Sequence, residues 1–213
     1  MDRLQFERRL WENGVTYVAG VDEAGRGCLF GDVVAAAVVL PKGLVIPDVD
    51  DSKKLSAAKR EELYAIVMEK AVAVGVGRVD AGTIDRINIR QAARLAMKRA
   101  IEQLGLCPEH VLIDAETIDV ALPQTPVVRG DSLSQSIAAA SIVAKVTRDR
   151  LCAEWDAAFP QYGIARHKGY GTKEHREAVL RFGPTPLHRM TFLSKWGVGD
   201  VVQMSLPILE TGG

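Results

Sequence analysis

Short apolar runs separated by glycine, proline and acidic clusters dominate the first half of the chain. Residues 17–21 and 33–40 are two such runs, and they predict strands joined across the glycine-rich stretch Asp22-Glu23-Ala24-Gly25-Arg26-Gly27. Pro41, Gly43, Pro47 and the acidic 48–51 segment break the pattern. Ser56 then offers a cap for a helix through about Lys70, with Leu63, Ile66 and Val67 on its apolar face. Residues 71–79 predict a third strand. Between residues 88 and 104, Ala92, Ala96, Ala100 and Leu104 recur every fourth position beside Leu95 and Ile101, a helical stripe of small side chains suited to close packing. Gly105 and Pro108 end it.

Val111, Leu112 and Ile113 form a short buried strand in this reading, and Asp114 follows at its exit, where a charge can reach water. A proline-punctuated loop through Pro126 leads to Arg129-Gly130-Asp131-Ser132 and then to residues 136–151. That segment is apolar nearly all round in its first half, which predicts a buried helix. Residues 159–199 mix Gly, Pro, His and basic side chains with short helical pieces, and residues 204–213 are expected to be a flexible tail. The pattern predicts one α/β domain over 1–213, a mixed sheet with helices packed on it.

Composition adds bounds. The 213 residues are 47% hydrophobic and 25% charged, which suits an ordinary folded domain and argues against disorder or a fibrous repeat. Cys28, Cys107 and Cys152 are scattered and odd in number, which favours a reducing compartment over a disulfide framework. The charged N-terminus lacks a signal-peptide core, no run reaches the length of a membrane span, and a cytoplasmic location is expected. Lys+Arg and Asp+Glu balance at 27 each, yet residues 129–195 hold 11 basic and 6 acidic side chains. That late excess suits a surface that meets phosphate.

Asp22 and Glu23 end an apolar strand, so desolvated carboxylates there need partners. Arg26 could pair with them locally. A second strand-end carboxylate at Asp114 and a third carboxylate at Asp131, on entry to the buried helix, offer another answer, four oxygen ligands at one sheet edge holding hard divalent cations such as Mg²⁺. The histidines lack a His-x-x-x-His pair and the cysteines are dispersed, so zinc is not expected. Gly25-Arg26-Gly27 permits close approach of a substrate backbone, with Arg26 as phosphate donor. Lys53-Lys54 and His167-Lys168-Gly169-Tyr170-Gly171-Thr172 add basic loops, the latter with a ring able to stack on a sugar or base.

Taken together, residues 17–27, Asp51-Ser52-Lys53-Lys54-Leu55, Gly130-Asp131-Ser132, residues 139–149 and residues 167–172 resemble, in order, the signature blocks of bacterial ribonuclease HII. The resemblance implies a ribonuclease H-like fold with a five-stranded mixed sheet and a small helical C-terminal extension. It implies an endonuclease that cuts the RNA strand of RNA/DNA hybrids and nicks 5′ of single ribonucleotides in DNA. The ends would be 3′-hydroxyl and 5′-phosphate, and the role ribonucleotide removal from DNA. By the same resemblance, Asp22, Glu23, Asp114 and Asp131 would bind two Mg²⁺ or Mn²⁺ ions, with Asp149 as an auxiliary acid. Gly25, Arg26 and Gly27 would read the 2′-hydroxyl, and Tyr170 would stack at the RNA-to-DNA junction. Lys53, Lys54, Ser132, Lys145 and Lys168 are further substrate contacts, nucleic acid is the partner, and a monomer is expected. The chain departs from the commonest pattern at Cys28 and Asp32, where proline is frequent, at Phe30, where alanine is, and at Ala115, where glycine is usual. Asp32 could alter metal affinity or pair with Arg26. The rivals are another carboxylate-rich nuclease, such as a proofreading-type exonuclease or junction resolvase, and a binding module whose acidic cluster is a structural cation site.

Overall fold

The computed structural model describes residues 2–49 and 55–195; Lys53, Lys54 and the 204–213 tail lie outside the described residues. A helix α1 (Gln5–Glu12) precedes β1 (Val18–Ala24) and β2 (Val33–Val39). Helix α2 (Ala57–Lys70) starts at the expected cap, where the Ser56 side chain accepts from the Lys59 N–H at 3.2 Å. Strand β3 (Ala73–Val79) leads through α3 (Ala81–Ile87) into α4 (Ile89–Glu102). Asp80 caps α3, a short helix that the sequence pattern does not announce, and Asn88 caps α4, which starts where the small-residue stripe predicts. Then come β4 (His110–Asp114), β5 (Gln124–Val127), the single turn α5 (Gly130–Leu133) and the long α6 (Gln135–Ala158). A 3₁₀ turn (Pro160–Tyr162), α7 (Ile164–His167), α8 (Lys173–Phe182) and α9 (Met190–Ser194) form the small C-terminal extension.

The five strands form one mixed sheet in the order β3-β2-β1-β4-β5. β1 runs antiparallel to β2 and parallel to β4, with Val21 beside Ile113. Adjacent parallel strands end at the same edge of a sheet, and here those ends are Asp22–Ala24 and Asp114. In open sheets that carboxyl-end crevice is where ligands bind. The fifth strand occupies the loop expected through Pro126, and its edge position explains how Pro126 is tolerated, since only an inner strand needs every N–H.

Three of the helices cover the two faces. Val33, Ala35, Ala37 and Val39 point into a core with α4, while Ala36 and Val38 point into a core with α2 and α6. Small side chains set the spacing. A Cβ at Gly20 would stand 2.1 Å from the Ser136 carbonyl carbon, so only glycine lets the start of α6 lie directly on β1. Residues 135–144 of α6 are all buried, as its apolar pattern predicts, and the helix runs seven residues beyond the expected end at Leu151. Leu29 and Phe30, from the loop after β1, pack with Cys152, Tyr162, Ile164, Val179 and Leu193, which ties the C-terminal extension to the loop.

The first helix, absent from the sequence reading because charges punctuate it, makes a buried polar contact. The Glu7 carboxylate accepts from Ser134 Oγ at 2.6 Å, Ser136 N at 3.0 Å and Ser136 Oγ at 2.7 Å. It thereby satisfies donors at the start of α6 that have no partner within the helix. Among the described residues no helix is long and apolar enough to cross a membrane.

Candidate active site

Asp22, Glu23, Gly25, Arg26, Gly27, Lys145 and Tyr170 line one cavity of about 220 Å³ at the carboxyl edge of β1, together with Ala24, Ser141 and Arg148. Asp22 is 6% exposed. Burial first, then the charges of Glu23 and Asp114, push its carboxyl well above the usual carboxylate range; the Glu23 N–H and the Ser141 side chain oppose that shift. The Glu23 N–H donates to Asp22 Oδ1 at 2.7 Å. Arg26 reaches Glu23 at 3.1 Å, so the local ion pair weighed from sequence does form.

Asp114 stands beside this cavity, close enough to raise the Asp22 pKa, and its Oδ1 accepts from the Gly130 N–H at 2.7 Å. Through that bond the end of β4 holds the turn α5 that carries Asp131 and Ser132. Ser132 Oγ donates to Asp131 Oδ1 at 3.4 Å. Neither Asp131 nor Ser132 lines the cavity itself. Among the described residues, no three acidic, histidine or cysteine side chains form a ready-made metal cage.

Other expected residues lie elsewhere. Asp149 is held by Lys145 at 2.6 Å and Arg60 at 3.7 Å, and it faces a neighbouring cavity with Lys168. Asp32 pairs with neither Arg26 nor the acidic cluster: Arg78 Nε and Nη2 both stand 2.9 Å from its Oδ2. The strand register decides this, because Val33 lies opposite Val79 and brings Arg78 alongside.

Arg148 was not expected, and it organises the loop. Its guanidinium is buried and donates to the carbonyls of Asp32 (3.1 Å), Phe30 (3.0 Å) and Lys168 (2.9 Å). Gly25 has φ +94°, and a Cβ there would meet Arg148 Nε at 2.0 Å, so this glycine answers both to conformation and to space. Arg189 adds bonds to the carbonyls of Gly31 at 2.9 Å and Arg26 at 3.0 Å. The signal available in the sequence was spacing: Ser141, Lys145 and Arg148 fall four and three residues apart, on one face of α6.

The family model for ribonuclease HII matches residues 19–195. The ribonuclease HII of Alkaliphilus metalliredigens is 58% identical over 201 residues, covering 92% of this chain and 98% of that protein. The ribonuclease H2 of Pyrococcus horikoshii has the same fold, with TM-score 0.75 and 24% identity over 88% of this chain and 99% of that one. A ribonuclease HIII, Bst-RNase HIII, solved in complex with Mn²⁺, superposes with TM-score 0.73 at 18% identity, covering 89% of this chain and 71% of its own. A family match over residues 19–195 and 58% identity to a relative aligned over nearly its whole length place the chain in the ribonuclease HII family, endonucleases of the ribonuclease H type.

Proposed function

We propose that the chain cuts the RNA strand of RNA/DNA hybrids and nicks duplex DNA on the 5′ side of a single embedded ribonucleotide, leaving 3′-hydroxyl and 5′-phosphate ends. The observation that carries this reading is the cavity in which Asp22 and Glu23 meet the Gly25–Gly27 loop, Lys145 and Tyr170. A 2′-hydroxyl is what distinguishes RNA from DNA, and main-chain groups flanked by glycine can reach it. The role would be removal of ribonucleotides from DNA, by a monomer in the cytoplasm.

The donor set fits divalent cations. An ionised Asp22 is opposed by burial and by two neighbouring carboxylates, penalties that a bound cation relieves. Oxygen-only ligands suit Mg²⁺ or Mn²⁺, and Mg²⁺ commonly takes few carboxylates and completes its shell with water and substrate phosphate. Asp22, Glu23, Asp114 and Asp131 would hold two ions. Bound there, the ions supply activation of water and compensation of charge on the scissile phosphate and the departing 3′-oxygen.

The chain's own groups orient the substrate. Gly25 and Gly27 let the strand approach the main chain, with Arg148 and Arg189 holding the loop's carbonyls in place. Arg26, whose side chain is 45% exposed, can extend from Glu23 toward a phosphate. Lys145 faces the cavity, and Asp149 enters the scheme as the partner that aims it. Tyr170, 45% exposed, presents its ring for stacking on the deoxyribose at the junction. Lys168, Ser132, Lys53 and Lys54 complete the proposed contacts.

The test is cleavage of a labelled duplex containing one ribonucleotide, beside an all-DNA duplex, with Mg²⁺ and with chelator. A metal-dependent 5′ nick in the first duplex alone is expected. Asp22→Asn and Asp114→Asn should each lower turnover by about three orders of magnitude, roughly 4 kcal/mol of barrier, with unchanged circular dichroism. Near-normal turnover by either variant would sink the assignment. Cleavage of both duplexes would favour a general carboxylate nuclease, and binding without cleavage a binding module.

A further inference from the structure

Three histidines lie behind Tyr170, and their hydrogen bonds leave only one arrangement of protons. The Thr185 N–H donates to His188 Nδ1 at 2.9 Å, so in a neutral ring the His188 proton sits on Nε2. His188 Nε2 is 3.2 Å from His175 Nε2, and one of the two must be bare. On the far side of that ring, His175 Nδ1 stands 3.0 Å from the Tyr170 carbonyl, which can only accept. The His175 proton therefore sits on Nδ1, and its Nε2 accepts from His188. His167 is fixed in the same way: the Gly169 N–H donates to Nδ1 at 3.2 Å and Nε2 donates to the Tyr162 carbonyl at 2.7 Å. Its ring stacks on His175 with centroids 4.4 Å apart.

The chain of donors runs one way, from Thr185 through His188 and His175 to the Tyr170 carbonyl. Its surroundings hold it. Phe30 meets His188 edge-on with centroids 4.7 Å apart, and Phe30 and His188 also pair through their backbones, as do Cys28 and Tyr170. His175 is fully buried and His188 is 2% exposed. The ionisable groups that act on His175 are His167 and Glu174, the latter paired with Arg166, and the buried Arg189 follows His188 in the chain. Burial lowers the pKa of His175 to about 4 and of His188 to about 3, so both rings stay neutral in the working range.

We propose that His188 and His175 are positioning residues for substrate discrimination: their neutral, one-way relay fixes the main chain of Tyr170 and so the place of its ring beside the Gly25–Gly27 loop. This rests on the reading of Tyr170 as the junction contact. It adds to that reading a specificity device made of residues that touch no substrate.

The experiment uses the whole chain and three variants. Tyr170→Ala should lower the ratio of kcat/KM on a single embedded ribonucleotide to that on a uniform RNA/DNA hybrid by about tenfold, within the range of one lost stacking contact. His175→Leu, which removes the donor to Tyr170, should lower the same ratio by a similar factor. His175→Asn can keep an N–H near the Nδ1 position and should stay within about threefold of the parent. In the unaltered chain, long-range ¹⁵N correlation spectra should show His175 protonated on Nδ1 and His188 on Nε2, both neutral down to pH 5.5. Opposite tautomers, or a charged ring at that pH, would overturn the relay whether or not the variants fold. If Tyr170→Ala lowers the ratio and a folded His175→Leu leaves it unchanged, the positioning role falls while the junction reading stands. If Tyr170→Ala leaves the ratio unchanged, the junction reading falls and takes the relay's purpose with it.

Discussion

At Asp22 the demands of folding and of chemistry oppose each other. Its carboxylate is buried beside Glu23 and Asp114, and in the absence of a cation the folded state carries that repulsion. A group whose pKa is raised on folding costs stability above its unfolded value. Asp22→Asn should therefore melt higher than the parent at neutral pH without divalent metal, by roughly 2–4 °C if the gain is about 1 kcal/mol, as is common for a stabilising substitution. Adding Mg²⁺ or Mn²⁺ should raise the melting temperature of the parent and leave the variant nearly unmoved, which thermal denaturation would read directly. His175 and His188 give the opposite dependence on acid. As pH falls below 6.5 the unfolded chain takes up protons that these rings refuse until about pH 4 and pH 3. Unfolding free energy should thus fall between pH 6.5 and 4.5 by up to about 2.7 kcal/mol per pH unit for the two rings. Urea titrations should show a shallower fall in His175→Leu. Asp22, Glu23 and Asp114 were legible as strand-end carboxylates because a charge after an apolar run has few places to go. Arg148 was not, because its partners are carbonyls 20 or more residues away and carbonyls leave no mark in a sequence. Asp32 was misplaced for a related reason: its partner Arg78 lies on β3, and only the register of β2 against β3 brings the two together.

Among the elements, the strand-to-loop junction after β4 carries a local cost. Ala115 has φ +48°, a left-handed conformation that a Cβ disfavours. Ala115→Gly should raise stability by about 1 kcal/mol, with the gain reduced somewhat by the greater freedom of the unfolded chain. No change in melting temperature would mean that the surrounding bonds, including Ala115 N–H to the Val127 carbonyl at 3.0 Å, already determine this turn. Elements with a regular apolar period were the legible ones: β2, α2, α4 and the first half of α6 stand close to where the pattern puts them. β5 was hidden by Pro123 and Pro126, acceptable on an edge, and α1 by its charges. The short α3 escaped because seven residues carry too little apolar period to read, whereas α4 begins where expected, at Asn88, whose side chain accepts from the N–H of Arg90 at 3.0 Å and of Gln91 at 3.1 Å.

For the whole molecule, charge sets how the substrate is held. With 27 basic and 27 acidic residues the chain has no general pull on DNA, so affinity depends on the cations that meet phosphate. Lys145→Ala should flatten the dependence of log affinity on log salt by about 0.9 if Lys145 neutralises one phosphate, as equilibrium binding to a duplex at several ionic strengths would report. An unchanged slope would leave Lys145 as the partner of Asp149 alone. The shape of the molecule also bears on its limits. The family match begins at residue 19, yet α1 stands before it and puts the Glu7 carboxylate into the seam where α6 meets β1. A trimmed chain starting at Ala19 would keep every acidic residue of the site and lose the acceptor for three donors beneath it. The stretch that the family model matches is smaller than the unit whose buried polar groups are satisfied, and a shortened chain should loosen at the α6 end beside Gly20.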